Sequence, residues 1–446
     1  MESEGQEQAI IDWIRRHLDA EVIGLERQPR WRPAWFVEAQ RGSETLRLYV
    51  RGERVDARIG FDLNHEMRLQ KLLHDHGIPV PRVHGWMDEP TAYVMDRVEG
   101  VEHLNETPVE ARAGIMESYM KALAQIHALD TTSFIEADII RAGENSAPGR
   151  IGMEVYEKAY RANKKRPDPF LEFTLNWLRR NPPPASARES VILWDTGQFL
   201  HDHSRLQTLI DLEIGHLGDP MMDLAGFRMR AREIGFSDFD RLYGCYEAES
   251  GQRVNREAIR HHYFSFALCN QLAFHAALAE PPAGSDYMMN LRWCTETNLY
   301  AIEALADIVG VALEPVEEMP PSPAPTQPAH TLLVDWLRHF TPSDPQEAHQ
   351  TRSAFRLARH LERASQIGLQ VESADLDEAS GLLGFRPDSS FSGDAALEKF
   401  IQVDDGAHDE ALIHLFYRRL LRGLSLLGPK GSAIATHYPV PGVSLS

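Results

Sequence analysis

The sequence predicts an α+β fold followed by a small all-α domain, and three patterns support this prediction. Short runs such as WFVEAQ and TLRLYVR alternate apolar and polar residues near the N-terminus, which is typical of half-buried strands. Longer stretches with apolar residues at helical spacing occupy most of the remaining chain. A proline-rich run at 314–329 is typical of an extended linker, and helical patterns resume after it.

These changes in pattern divide the chain into four predicted segments. They are a small β-rich lobe at 1–96, a larger and mainly helical lobe at 97–313, a linker at 314–329 and a helical domain at 330–446. The first lobe begins with a predicted amphipathic helix at 5–18, with Ile10, Ile14 and Leu18 at four-residue spacing. One further helix, DLNHEMRLQKLLHDHG, is predicted among the strands and ends at Gly77 because glycine commonly terminates helices.

The composition excludes several classes of function. The formal net charge of −20 disfavours nucleic acid as a partner because like charges repel. Three widely spaced cysteines indicate neither a zinc site nor a disulfide framework, and they fit a reducing compartment. The N-terminal MESEGQEQAIIDW is not typical of a signal peptide, and no apolar run reaches the roughly 20 residues of a membrane span. We therefore predict a cytoplasmic protein with no membrane partner.

A candidate catalytic segment, DTGQFLHDHSRLQTLIDLE, occupies 195–213. It predicts two short strands, at 199–201 and 206–210, joined by the polar turn DHSR. A hairpin places the residues before its first strand beside those after its second, so Asp195 and Asp211 meet at one end. Two neighbouring carboxylates suit phosphoryl transfer, where one orients the acceptor hydroxyl and another holds Mg²⁺. Aspartates that merely cap turns are an equal alternative on this pattern alone.

The surrounding motifs resemble those of the aminoglycoside phosphotransferase-like (choline-kinase-like) family of small-molecule kinases. DLE at 211–213 and HLGDPMMDLA at 216–225 follow that family's metal-binding pattern in order. Upstream, GIPVPRVHGW, AYVMDRVEG and LAQIHALD match further family motifs, so the resemblance covers about 20–310. It implies a two-lobed, protein-kinase-like fold that uses ATP and Mg²⁺. TRSAFRLARHLERASQ and LFYRRLLRGLSLLGPKG resemble small helical domains fused to, or paired with, such kinases.

The resemblance assigns roles to the residues of the catalytic segment. Asp195 corresponds to the catalytic base and Asp211 to the metal ligand. Gln198 stands where the family has a metal-binding asparagine, and it offers the same amide oxygen on a longer side chain. The family's His and Gly before the aspartate are replaced by Leu193 and Trp194, and the loop after the aspartate is shorter than usual.

The resemblance also implies a nucleotide site. Arg51 corresponds to the basic residue that binds the α- and β-phosphates, and Glu66 to the acidic residue that holds its guanidinium. The hinge, whose backbone would hydrogen-bond adenine, corresponds to Val94, Met95 and Asp96. No glycine-rich phosphate loop is present, and RQPRWRPAW occupies its place.

The strand that contains Arg51 raises a difficulty for this site. Alternation along TLRLYVR puts Leu48 and Val50 on the face opposite Tyr49 and Arg51. We expect the apolar face to pack on the lobe core or on the helix that carries Glu66. Arg51 would then need a bulge or a twist near Gly52 to reach that helix.

The predicted function is phosphorylation of a hydroxyl group on a small metabolite. The resemblance suggests hydroxyacyl-CoA thioesters, amino alcohols or aminoglycoside-like sugars as acceptors, and we favour the first. The alternative is a pseudokinase-like scaffold that binds a nucleotide or a partner without turnover. The altered catalytic motif and the missing glycine-rich loop favour the scaffold, whereas retention of the basic and acidic site residues favours the enzyme.

Overall fold

The computed structural model of the 446-residue chain describes residues 2–30, 32–54, 57, 59–184 and 188–444. One helix and then antiparallel strands come first in this part of the chain, and helices make up most of the remaining length. The predicted α+β fold class, with a helical C-terminal region, is therefore confirmed. No helix within these described ranges is long and apolar enough to cross a bilayer.

The helices and strands follow one another in this order: α1 (Glu2–Leu18), β1 (Glu21–Arg27), β2 (Ala34–Arg41), β3 (Glu44–Gly52), α2 (Leu63–Asp75), β4 (Val83–Met87), β5 (Ala92–Asp96), α3 (Val109–Ala128), α4 (Thr132–Glu136), α5 (Ile151–Asn163), α6 (Pro169–Arg180), β6 (Ser190–Ile192), β7 (Phe199–His201), β8 (Leu206–Leu209), β9 (His216–Gly218), α7 (Pro220–Met229), α8 (Ala231–Ile234), α9 (Phe239–Ser250), α10 (Arg256–Ala267), α11 (Cys269–Ala279), α12 (Tyr287–Val309), α13 (Gln327–His339), α14 (Pro345–Leu383), α15 (Ser390–Val403) and α16 (Asp409–Leu426).

Contacts between residues divide the chain into two compact units, each assembled from separate stretches of sequence. The first unit combines 1–55, 60–155 and 184–262, and the second combines 56–59, 156–183 and 263–446. The domain boundaries predicted from the sequence remain predictions.

The first unit contains a five-stranded antiparallel sheet with the strand order β1-β2-β3-β5-β4. Its apolar face is covered by α1, where Ile10, Trp13 and Ile14 pack against Leu48 and Val50 of β3. Burial of this face removes large aliphatic and aromatic side chains from water, which is the main stabilising contribution in a small lobe.

The opposite face of the sheet carries α2, where Leu63 packs with Tyr93 and Met95. Of the two partners expected for the apolar face, the structure shows the lobe core, which includes α1, and the helix with Glu66 lies on the other side. The pairing of β2 with β3 runs without a register shift up to Arg51. Arg51 therefore reaches the α2 side by ordinary strand alternation, and the expected bulge is not needed.

Helix α2 is positioned by its first turn. The side chain of Asp62 accepts a hydrogen bond from the backbone N–H of His65 at 2.6 Å, which caps the helix. Glu66 follows in the same turn and shares a helical face with Leu69 and Leu73, both fully buried. The apolar residues that hold α2 on the sheet therefore also turn Glu66 inward.

Two short antiparallel pairs bring the candidate catalytic loops together. Strands β7 and β8 form the hairpin predicted from the sequence, which is confirmed, and β6 pairs with β9. The N–H of Ile210 donates to the carbonyl of Gln198 at 3.2 Å. The loops before β7 and after β8 consequently lie side by side.

The loop between β6 and β7 is held by its backbone. The carboxylate of Asp223, in α7, accepts hydrogen bonds from the N–H groups of Leu193 and Trp194 at 3.0 and 2.6 Å. Trp194 has φ of +61°, a left-handed conformation that favours glycine. A Cβ atom at Gly226 would overlap the carbonyl oxygen of Trp194, so there is no room for a side chain between α7 and this loop at that position.

The second unit is helical in its described part. Phe416 of α16 packs against Phe170 and Phe173 of α6, with ring centroids 5.6 Å apart in both pairs. These apolar contacts join helices that lie far apart in the sequence.

The proline-rich segment is attached to α14. Residues 311–324 form neither helix nor strand. The N–H of Ser322 donates to the carbonyl of Gln366 at 3.0 Å, and Gln370 Nε2 donates to the carbonyl of Pro320 at 3.1 Å. The segment is therefore without regular secondary structure, and it is hydrogen-bonded to a helix of its own unit.

The close approach at Gly226 gives a stability prediction. Gly226→Ala should lower the free energy of unfolding by about 2 kcal/mol, because the added methyl group displaces the Trp194 carbonyl. Gly114→Ala is the matched control, since Gly114 lies in α3 with open space around it. This control should raise stability by roughly 0.5–1 kcal/mol through helix propensity. Urea unfolding measures both values, and two stabilised variants would contradict the close contact.

Candidate active site

Arg51 lies at the centre of a buried ion-pair network. Its Nε is 2.9 Å from the Glu66 carboxylate, and its Nη2 pairs with the carboxylate of Asp211. The Arg51 side chain is 7% exposed and that of Glu66 is 2% exposed. Strand β3, helix α2 and the loop after β8 thus bring together three residues that the sequence had assigned to one site.

Two further arginines and one further carboxylate extend this network. Arg32 pairs with Glu213 and lies 3.6 Å from Glu66, while Arg54 lies 3.1 Å from Glu213. Arginines and carboxylates therefore alternate through the cluster. Such pairing offsets the large cost of removing charges from water.

The electrostatics of the network keep Arg51 and Asp211 ionised. Burial by itself would lower the pKa of Arg51, but the carboxylates of Glu66 and Asp211 outweigh it and hold this pKa well above the ordinary value. Burial would raise the pKa of Asp211, yet Arg51 and Arg32 hold it far below the usual range. Burial dominates at Glu66 and raises the pKa of that carboxyl.

Asp195 lies in a separate charge pair. Arg230, at the C-terminal end of α7, places Nε 2.8 Å from one carboxylate oxygen of Asp195 and Nη2 2.7 Å from the other. Gln198 Nε2 donates to the second oxygen at 2.8 Å. Burial raises the pKa of Asp195 even though Arg230 favours the ionised carboxylate.

A cavity of about 350 Å³ adjoins Arg51. Phe36 and Tyr49 line it from the sheet, and Leu200 and Ile210 line it from the hairpin. These side chains form an aromatic and aliphatic enclosure of the kind that receives a flat ring.

The predicted hinge is split between the cavity and the lobe core. Met95 and Asp96 line the cavity, whereas the side chain of Val94 packs in the core beneath α1. The N–H of Asp96 donates to the carbonyl of Arg82 at 2.9 Å, so that group is already engaged within the protein.

The donors for a magnesium ion fit in chemical type. Asp211 and Gln198 both line the cavity, and Mg²⁺ prefers carboxylate and amide oxygens together with water and phosphate. Within the described ranges, no three His, Cys, Asp or Glu side chains are grouped as a metal site. A magnesium ion at this place would therefore rely on few protein ligands, as is usual when phosphates supply the others.

Several residues of this cluster were not assigned to it from the sequence. Arg54 and Glu213 belong to the ion-pair network, and Arg230 holds Asp195. Glu213 had a usable signal, because it completes the DLE motif. Arg230 follows the DLA motif, and it reaches Asp195 because α7 runs alongside the loop that carries Asp195, with Asp223, Gly226 and Arg230 all close to it.

Trp194 of the altered catalytic motif packs in a cluster of rings with His216 and Phe61. Trp194 lies against His216 with ring centroids 5.3 Å apart, and Phe61 lies 5.6 Å from His216. Gly152 leaves space for the indole, since a Cβ there would come 2.6 Å from it. His216 Nδ1 lies 2.8 Å from the carbonyl of Ile214, and burial lowers the pKa of His216 to about 4.

Comparison with protein families now identifies the chain. The model of the family described as APH, a phosphotransferase enzyme family, matches residues 27–254, which is more than half of the chain. The protein belongs to this family, and the resemblance stated from the sequence is confirmed. The matched region contains Arg51, Glu66, Asp195 and Asp211.

Solved structures of low sequence identity also align with the chain. The macrolide 2′-phosphotransferase of Brachybacterium faecium is 19% identical with a TM-score of 0.44, over 62% of this chain and 94% of that one. The choline kinase of Streptococcus pneumoniae is 16% identical with a TM-score of 0.47, over 68% and 99%. An aminoglycoside phosphotransferase in a complex with ADP and hygromycin B is 14% identical with a TM-score of 0.45, over 68% and 98%. No curated protein matches the chain.

The burial of His216 predicts how stability depends on pH. A histidine whose pKa is lowered by folding contributes stability above its unfolded pKa of about 6.5, and this is lost as pH falls toward 4. Between pH 7 and pH 5, the free energy of unfolding of the wild type should therefore fall by about 2 kcal/mol more than that of His216→Asn. Urea unfolding at both pH values measures the difference. The control is His74→Asn, at an exposed position on α2, and its free energy of unfolding should change with pH as that of the wild type does. An equal decrease in all three proteins would contradict a neutral, buried His216.

Proposed function

We propose that the protein transfers the γ-phosphate of ATP to a hydroxyl group on a small metabolite, with Mg²⁺ as the required metal. Membership of the phosphotransferase family supports this proposal. The observation that carries it is the position of Arg51, which bridges Glu66 and Asp211 at the wall of a cavity. A fixed guanidinium next to an ionised carboxylate is an arrangement suited to phosphate and its metal.

Each predicted residue except Val94, which packs in the lobe core, has a defined role in this proposal. Arg51 binds the α- and β-phosphates and Glu66 orients it, while Met95 and Asp96 flank the adenine. Asp211 and Gln198 hold Mg²⁺, which when bound neutralises charge on the phosphates. The proposal assigns no other role to the metal.

Asp195 is the proposed base for the acceptor. The hydroxyl oxygen forms a bond to the γ-phosphorus, the bond to the bridging oxygen of ADP breaks, and the hydroxyl proton passes to the Asp195 carboxylate. Burial of this carboxylate, which raises its pKa, makes it a stronger base than an exposed aspartate.

The charge of the cavity favours ATP as a metal complex. Three arginines and five carboxylates line it: Arg30, Arg51, Arg97, Glu66, Asp96, Glu99, Glu102 and Asp211. Acidic groups are in excess, so a bare polyphosphate would meet net repulsion. A divalent cation cancels this excess and makes metal-bound ATP the species that the site should accept.

The acceptor is proposed only as a small molecule with a hydroxyl group. The preference for a hydroxyacyl-CoA rested on the resemblance alone, and neither the cavity nor the family assignment adds support for it. A cytoplasmic location is also proposed, in keeping with the three free cysteines Cys245, Cys269 and Cys294.

A pseudokinase is the second candidate, and one specific observation favours it. Both catalytic carboxylates are held by arginines, Asp195 by Arg230 and Asp211 by Arg51. Calorimetry of ATP binding with and without Mg²⁺, followed by a screen of hydroxylated metabolites for ADP formation, separates the two candidates. Metal-dependent binding without ADP formation on any acceptor would favour the scaffold.

The role of Asp195 predicts a separation of binding from turnover. Asp195→Asn should lower kcat at least about 100-fold, since an amide cannot take the hydroxyl proton, while affinity for Mg-ATP stays unchanged. Asp202→Asn is the matched control, because Asp202 lies in the hairpin turn and is not a cavity residue. Turnover by Asp195→Asn at the wild-type rate would show that another group accepts the proton.

The role of Asp211 predicts a loss of metal dependence. Wild type should bind ATP more tightly with Mg²⁺ than with a chelator, and Asp211→Asn should reduce this gain by at least about tenfold, or ~1.4 kcal/mol. Affinity measured with the chelator should not fall in the variant, because the substitution removes a negative charge from the cavity. Calorimetry tests both conditions, again with Asp202→Asn as the control. An identical gain in the variant would remove Asp211 from the metal site.

A further inference from the structure

Arg230 is paired with Asp195, the residue proposed to accept the hydroxyl proton. A second cavity of about 70 Å³ is lined by Arg230 together with Gln198, His103 and Ile234. It shares the lining residues Glu102, Gln198 and Ile210 with the larger cavity. The two spaces therefore adjoin, with Gln198, a hydrogen-bond partner of Asp195, between them.

The backbone fixes the place of Arg230. Gly197 has φ of +92°, and a Cβ built on it would lie 3.3 Å from the Cβ of Arg230. The loop after Asp195 thus passes directly over the end of α7. The guanidinium nevertheless remains 25% exposed, which leaves it accessible from the smaller cavity.

We propose that Arg230 determines acceptor specificity, and that the acceptor carries an anionic group, a carboxylate or a phosphate, close to the hydroxyl that is phosphorylated. This inference rests on the phosphotransferase function proposed above. A guanidinium presents two parallel N–H groups that match a carboxylate or phosphate in shape and charge. In the free protein that partner is Asp195, which Arg230 contacts through both oxygens.

Acceptors of different charge should differ in how well they compete with Asp195 for the guanidinium of Arg230. An anionic group can share or replace Asp195 as the partner of Arg230, and it thereby leaves a carboxylate oxygen of Asp195 available to the neighbouring hydroxyl. A neutral polyol has no group that competes with an ion pair at comparable strength. A cationic acceptor is repelled by Arg230. The expected order of affinity is anionic, then neutral, then cationic.

The test measures binding of four compounds of similar size to the full-length protein. They are glycerol 3-phosphate, glycerate, glycerol and choline, each titrated in the presence of Mg²⁺ and a non-hydrolysable ATP analogue. Wild type should bind the two anions at least about tenfold more tightly than glycerol, and choline least. Arg230→Gln should abolish this preference, and Arg230→Lys should keep part of it, because lysine retains the charge but not the fork. Arg205→Gln, in the exposed hairpin turn, is the control and should keep the preference.

The outcomes distinguish this inference from the function on which it rests. An unchanged preference in Arg230→Gln, no preference in wild type, or tightest binding of choline would each overturn the role of Arg230. Binding of the ATP analogue is measured first in the same samples. If the analogue fails to bind in the presence of Mg²⁺, the proposed function itself is refuted; if it binds and the acceptors show no charge preference, only the present inference is refuted.

Discussion

The first unit depends on the buried pairing of Arg51 with Glu66 and Asp211. A charged group that is almost completely removed from water is tolerated only when its partners are in place. Because each partner comes from a different element, the sheet, α2 and the hairpin end have a single mutual arrangement that leaves no charge uncompensated. Arg32 and Glu213 add a second bridge between the same elements. Conformational specificity, more than net stability, is the physical gain that we expect from such a cluster.

The sequence was sufficient for the parts of the site that follow from local pattern. Alternation along β3 placed Arg51 opposite the apolar face, and the turn residues of the hairpin brought Asp195 and Asp211 to one end. It was insufficient wherever a long-range contact decided the outcome. Nothing in the strand pattern shows that α1, and not α2, covers the apolar face. Likewise, the pairing of Asp195 with Arg230 spans 35 residues and depends on how α7 packs.

The loop with the altered catalytic motif shows how a backbone conformation can be kept when the residues of a motif are replaced. Leu193 and Trp194 replace side chains of the family pattern, yet the backbone keeps the left-handed turn that glycine would adopt. Asp223 explains this persistence, since it binds the loop through N–H groups that do not depend on side-chain identity. The loop is thus defined by hydrogen bonds to the main chain, and its side chains are free to vary as long as neighbours such as Gly152 make space.

The aromatic contacts of Phe416 with Phe170 and Phe173 have a consequence for the order of events during synthesis. These rings belong to one core, but more than two hundred residues separate α6 from α16. On the ribosome, α6 emerges long before α16, so Phe170 and Phe173 cannot be covered by Phe416 until α16 has been synthesised. Cores closed by such distant segments form slowly and leave hydrophobic surface exposed in the meantime. Completion of the second unit is therefore a late event in synthesis, because it requires that α16 has emerged.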